Sequence, residues 1–387
     1  MTSPDNTSSS HALTTESIFQ RDLRSAINER GGLFNAHLHL DRAGSLDTVL
    51  AKLDEQSSGV YSAISLQSKH SLVSVAHNSG HYEPEALKSR TIKYLDDMFK
   101  IGTSRATTTV DITADSVGMS AFRSFVEVKN IVKDRIRLDV GAYSPLGFRD
   151  DEPERWELIS KAAQDCDLFI ALPERDDHSR YPEHIGFHES VRRFLEIGYE
   201  HGKPVHIHSD QENHQYESAS EDILSILEKS SFHVGSGFEL WLIHMISPSA
   251  YPDSRFESLV KRLNDNQVGV IVCPSAALSM RQVRPFAGPM RNSIARVLEL
   301  LAAGVRVRLG SDNVNDITSP AGTLDLMQEV FVLSHALRFF DISVLSALAS
   351  GSELTDSERN TVHKHLRAHS LEERNLIEYT EQKNRNL

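Results

Sequence analysis

A chain of 387 residues, 39% of them hydrophobic and 25% charged, is long enough to bury one large core. Its net charge of −13 and pI near 5.8 argue against nucleic acid or an anionic membrane as the main partner, because both reward clustered Lys and Arg. Two distant cysteines, Cys166 and Cys273, exclude a disulfide framework and a cysteine zinc site, and fit a reducing cytoplasm.

Residues 1–17, MTSPDNTSSSHALTTES, are polar and lack both the basic start and the apolar stretch of a signal peptide, so they read as a disordered tail. No apolar run approaches the roughly 18 residues of a membrane span. From residue 18 to about 350 one pattern repeats: a short apolar, β-branched run, then a longer segment of helical periodicity. The strand runs fall at 33–40, 106–112, 136–143, 167–172, 204–209, 239–245, 268–273 and 305–310. Between them, 83–100, 120–133, 188–201, 254–264 and 292–303 space their apolar residues three and four apart, as helices do. Eight alternations in one domain-sized chain predict a single (β/α)8 TIM barrel, and the dinucleotide glycine fingerprint of an open sheet is missing after the first strand. Residues 43–101 are about twice the usual connection and carry Ser68, Lys69, His70, His77, His81 and Tyr82, which suggests a helical excursion over the barrel mouth. Residues 351–387 read as a charged, helical C-terminal extension.

The chemistry begins in NAHLHLD. Residues i and i+2 of a strand share a face, so His37 and His39 present two imidazoles together. An isolated His-x-His pair is weak, but PVHIHSDQE repeats the alternation with His206 and His208, LWLIHM ends with His244, and VRVRLGSDN ends with Asp312. All of these lie at C-terminal strand ends, the face where a barrel builds its active site. Together they suit a divalent metal far better than any one alone.

With those residues in place, the chain resembles the amidohydrolase superfamily, nearest its cytosine deaminase-like branch, over roughly residues 33 to 340. The segment GSDNVNDITSPAGTLDLMQ is similar to that branch's eighth-strand turn. The resemblance implies one divalent ion, zinc first and ferrous iron as the alternative, held by His37, His39, His208 and Asp312. It implies further that His244 holds or polarises the attacking water and that Asp312 acts as base and then acid. The expected reaction is hydrolysis of a non-peptide C–N bond, with deamination of a small amino-heterocycle ahead of cyclic amide or lactam opening, and a non-catalytic metal-binding barrel as the other class.

Three departures limit the carry-over. The branch places a glutamate three residues after the fifth-strand histidine, where this chain has Gln211; a neutral amide carries no proton but can bind substrate, leaving the base role to Glu212 beside it or to Asp312. DLFIALPERDD has no lysine to bridge two metals, so one ion is expected. The termini leave no room for the accessory β-sandwich of many relatives. For substrate contacts, the sequence offers Gln211, Asn313, Tyr143 and, from CPSAALSMRQVRPF, Arg281 and Gln282, with Ser275, Ser279, Arg284, Phe148, Glu174 and Arg175 nearby. The residues after the seventh strand read equally well as a solvated loop, Tyr143 and Phe148 as core, and Glu174 with Arg175 as a salt bridge. The apolar stretch LMQEVFVLSHALRFF fits either a core or a homo-oligomer contact.

Overall fold

The computed structural model describes residues 16–53, 61–235, 237–281 and 292–385. Its eight strands are β1 (Leu33–Leu38), β2 (Thr103–Asp111), β3 (Arg137–Tyr143), β4 (Leu168–Ala171), β5 (Val205–Ser209), β6 (Leu240–His244), β7 (Gly269–Val272) and β8 (Val307–Leu309). They form one sheet in sequential order, every neighbouring pair parallel. Just beyond β8, Asp312 N–H donates to His37 O at 2.9 Å and His39 N–H donates to Asp312 O at 3.1 Å, so the last strand end meets the first and the sheet closes. The expected TIM barrel is what forms, and among the described residues every strand belongs to it, with no β-sandwich.

All eight predicted strand positions are occupied, most trimmed by one or two residues. The strands are legible because a parallel strand is covered on both faces and reads as a continuous apolar run. Phe34, Tyr143, Ile170, Trp241, Ile243 and Ile271 pack inside the barrel, and a larger cluster fills the space between strands and helices. Helix Pro84–Lys100 begins at a proline suited to a first turn and buries Leu87, Thr91, Leu95 and Met98 along one stripe. The predicted helix at 292–303 shortens to Val297–Ala302. Ahead of it, Ile294 N–H donates to the Asn292 side chain, and Ser293 adopts a φ of 64°, a turn that the periodicity does not reveal.

The excursion after β1 is helical, as expected, and includes Leu66–Ser71 and Val73–His77. Residues 1–15 of the expected tail lie outside the described residues; Ser17 caps helix Ile18–Glu29 in a reciprocal capping box with Gln20. The C-terminal segment forms helix Asp356–Arg385, which buries Glu358 and Val362 and is exposed from residue 367 through 383. Helix Leu326–Leu337 buries Leu326, Met327, Val330 and Leu333, so core packing accounts for part of that apolar stretch, while Phe331 and Val332 are half-buried and Phe340 is exposed. No described helix is long and apolar enough to cross a membrane.

Candidate metal centre

Strand ends bring the predicted donors together. His37 and His39 lie at the end of β1, His208 at the end of β5, His244 closes β6, and Asp312 follows β8. None of the five is more than 5% exposed. Ring centroids separate by 4.9 Å for His37 and His208, 5.1 Å for His37 and His39, and 5.4 Å for His208 and His244. Asp312 Oδ1 lies 3.5 Å from His37 Nε2 and 3.3 Å from His39 Nε2. Two overlapping triads, His37 with His39 and Asp312, and His37 with His208 and His244, each bring one donor atom per residue within 4.8 Å of the others.

The cluster fits a divalent ion on its own chemistry. Neither ring nitrogen of His37 has a hydrogen-bond partner, nor does His244 Nδ1, although burying such groups unsatisfied costs about 1–3 kcal/mol each. Burial, aided by the Arg42 charge, pushes His39 down to about 3, and burial pushes His244 to about 4 and His208 well below its ordinary value, so these imidazoles are neutral and offer lone pairs. Burial alone would raise Asp312, but the His37 and His39 side chains beside it outweigh that and hold the carboxylate ionised.

Neighbouring groups fix which nitrogen faces the centre. His208 Nδ1–H donates to Ala171 O at 2.9 Å, which leaves Nε2 free. His39 Nδ1 lies 2.5 Å from the Thr109 hydroxyl and also meets the Arg42 guanidinium, which can only donate, while Nε2 turns toward Asp312. The backbone is also strained here: His244, Met245 and Asp312 have φ values of 80°, 47° and 60°. Such conformations cost about 1–3 kcal/mol each for non-glycine residues and concentrate at functional sites.

A second buried layer supports the first. The Arg42 guanidinium touches His39 Nδ1, lies 5.9 Å over the Tyr143 ring, and sits 3.8 Å from Asp111. Asp111 accepts from the Tyr82 hydroxyl at 3.0 Å and pairs with His77 Nε2 at 3.0 Å, while His77 Nδ1 reaches Asp115 at 2.6 Å. Asp41, last residue of the HLHLD motif, accepts from Asp111 N–H at 2.8 Å and serves as an anchor rather than a ligand. Burial and the neighbouring Asp111 push its carboxyl up to about 7. Sequence reasoning noted His77 and Tyr82 only as members of the excursion and missed Arg42 and Asp111.

Leu66 and His70 from the excursion, together with Met280 and Thr318, roof the centre, leaving only about 10 Å³ beneath them. Leu66, Gln211, Met280 and Thr318 also line a cavity of about 360 Å³ above, whose walls include Lys69, Arg180, Glu212 and Arg281. Of the predicted substrate contacts, Tyr143 lies 5.7 Å from the His39 and His208 rings, Asn313 Nδ2 donates to Asp312 at 3.0 Å, and Gln211 lines both spaces. Arg281 is in the upper wall and donates to Ala63 O; Gln282 and Arg284 lie outside the described residues.

Glu212 is not among the groups lining the inner space: Arg180 and His214 hold its carboxylate. His206 sits one residue pair deeper in the barrel, its ring 6.4 Å from Trp241, and takes no part in the cluster. Phe148 packs on Trp156 and Phe194 in the core.

No known family profile matches the chain. An uncharacterised protein of Haemophilus influenzae is 24% identical over 300 residues, covering 73% of this chain and 95% of that protein. Among solved structures, 5-methylcytosine deaminase from Klebsiella pneumoniae liganded with phosphonocytosine superposes with a TM-score of 0.68 at 19% identity, over 82% of this chain and 74% of that one. The chain shares the fold of this deaminase. N-isopropylammelide isopropylaminohydrolase from Burkholderia multivorans superposes with a TM-score of 0.61 at 17% identity, over 86% and 82% of the two chains. At these identities both neighbours show the barrel fold that this chain shares.

Proposed function

We propose that this protein is a metal-dependent hydrolase of non-peptide C–N bonds that deaminates a small amino-heterocycle. The observation that carries this reading is the buried cluster of four histidines with an ionised aspartate at the mouth of a barrel, both His37 nitrogens and His244 Nδ1 without a hydrogen-bond partner. Support for the substrate class comes from two neighbours of the same fold, named for 5-methylcytosine deamination and for removal of an isopropylamino group from N-isopropylammelide.

His37, His39, His208 and Asp312 would hold one divalent ion, with zinc and ferrous iron both suited to three imidazoles and a carboxylate. Such an ion supplies Lewis acidity that brings the pKa of water down to about 7. Asp312, ionised and beside the cluster, accepts the water proton and returns it to the departing nitrogen, so that one C–O bond forms as one C–N bond breaks. His244, neutral and with Nδ1 free, orients the attacking oxygen. Tyr143 walls the inner space with an aromatic edge suited to a planar ring.

Two measurements test the reading. Elemental analysis should find close to one divalent ion per chain and almost none in the His37→Ala, His39→Ala double variant; equal metal in both would refute the site. Metal-loaded protein should then be screened by mass spectrometry against amino-pyrimidines, amino-triazines, guanidine-type rings and cyclic amides. Replacement of NH by O in the consumed compound is the expected result, while simple addition of water would establish ring opening instead.

A further inference from the structure

The acid missing at position 211 is present in space. Gln211 Nε2 donates to Glu174 Oε2 at 3.1 Å, and the Gln211 backbone N–H donates to the same carboxyl group. Glu174 follows β4 in LPERDD, and Gln211 follows β5, so adjacent parallel strands deliver the pair side by side. Glu174 Oε1 is buried without a partner. Glu212, Asp210 and Glu217 face the same region, and burial, then Glu212 and Asp210, push the Glu174 carboxyl up to about 8.

We propose that Glu174 is a positioning residue that fixes the Gln211 side-chain amide with its NH2 group turned away from the substrate space, leaving Oε1 as the polar atom presented there. A free glutamine offers a donor or an acceptor by a flip of the amide. Two N–H groups converging on one carboxyl group remove that choice, because only the NH2 end of Gln211 can join its own backbone N–H in donating. The orientation belongs to a Glu174 oxygen that accepts: the ionised carboxylate offers only acceptors, and a neutral acid holds the same orientation when its proton sits on Oε1, the oxygen without a partner, and Oε2 accepts from Gln211. The site therefore recognises a substrate N–H, such as an exocyclic amine or a protonated ring nitrogen, at Gln211 rather than a bare carbonyl. This deepens the hydrolase reading and rests on it for the ligand, but not for the hydrogen bond itself.

The test has two arms. In protein labelled with 15N at glutamine side chains, with the Gln211 signal assigned by its loss in Gln211→Leu, the Gln211 NH2 resonance should shift in Glu174→Leu while the remaining glutamine signals stay in place. An unmoved signal overturns the inference whatever the protein's activity. In the second arm, metal-loaded wild type and Glu174→Gln are titrated calorimetrically with cytosine and its N-methylated forms. Wild type should favour cytosine, and the preference should narrow about tenfold in Glu174→Gln, where the amide at 174 allows Gln211 either orientation. An unchanged preference overturns the recognition role and leaves the hydrolase reading standing. A shifted amide signal in a protein that binds none of these rings and converts none of the screened compounds overturns both the hydrolase reading and the recognition role.

Discussion

His77 makes a charge-dependent contribution to stability that is lost as pH rises. Burial alone would lower its pKa, but hydrogen bonds to Asp111 and Asp115 outweigh that and raise it from 6.5 to about 9. Because the folded value exceeds the unfolded one, the stabilisation is fully present below pH 6.5 and is lost as pH rises through 9. At about 1.4 kcal/mol per pKa unit, the pH-dependent part amounts to about 3 kcal/mol. His77→Leu removes the imidazolium and leaves Asp111, whose side chain is fully buried, with the more distant Arg42 at 3.8 Å. Urea unfolding of wild type and variant should therefore show a stability gap that is widest at pH 6 and shrinks by about 3 kcal/mol by pH 9.5, with fluorescence and circular dichroism transitions coinciding. A gap that stays constant over that range, or an imidazole NMR titration of His77 centred near 6.5, would refute the ion-pair account.

Asp312→Asn should reduce turnover of the compound found in the screen by at least about a hundredfold, measured as kcat, since an amide cannot accept the water proton; near-normal turnover would sink its role. Gly310→Ala places a Cβ 2.7 Å from His37 O and 2.9 Å from His37 Cβ, so β8 must move from β1. It should cost about 1–3 kcal/mol in unfolding experiments and lower the metal content per chain, whereas unchanged metal would show that the strands adjust without moving the ligands. Truncation after residue 367 removes a part of the last helix that is exposed throughout its described length, and should leave the urea midpoint within about 0.5 kcal/mol of wild type. A larger loss would show that this segment packs on something.

The fold was legible because it is written locally. Each buried parallel strand announces itself as an apolar run, and eight of them in alternation leave little choice of architecture. The donor pair on β1 was legible for a similar reason, since alternation places His37 and His39 on one face. Alternation gives direction but not depth: His206 shares the inward face with His208, yet it pairs with Ile170 and Trp241 one layer lower and never reaches the mouth. The approach of His244 to the cluster accompanies a φ of 80°, which no hydrophobic pattern announces. His77 and Tyr82 join the site through a long excursion, so their partner Asp111 is a tertiary fact with no local signature.

Position 211 shows the same limit most sharply. A comparison made along the chain finds an acid missing there and looks to the adjacent residue, Glu212, whose carboxylate is committed to Arg180 and His214. A comparison made across the barrel finds the acid on the next strand end, 3.1 Å away, because β4 and β5 are neighbours although 37 residues of sequence separate Glu174 from Gln211. An active site assembled from strand ends distributes its chemistry around a ring. An acid displaced by one strand lies beside Gln211 in space and is invisible to any reading of spacing, so the Glu174 and Gln211 pair is the place where altered chemistry is best sought.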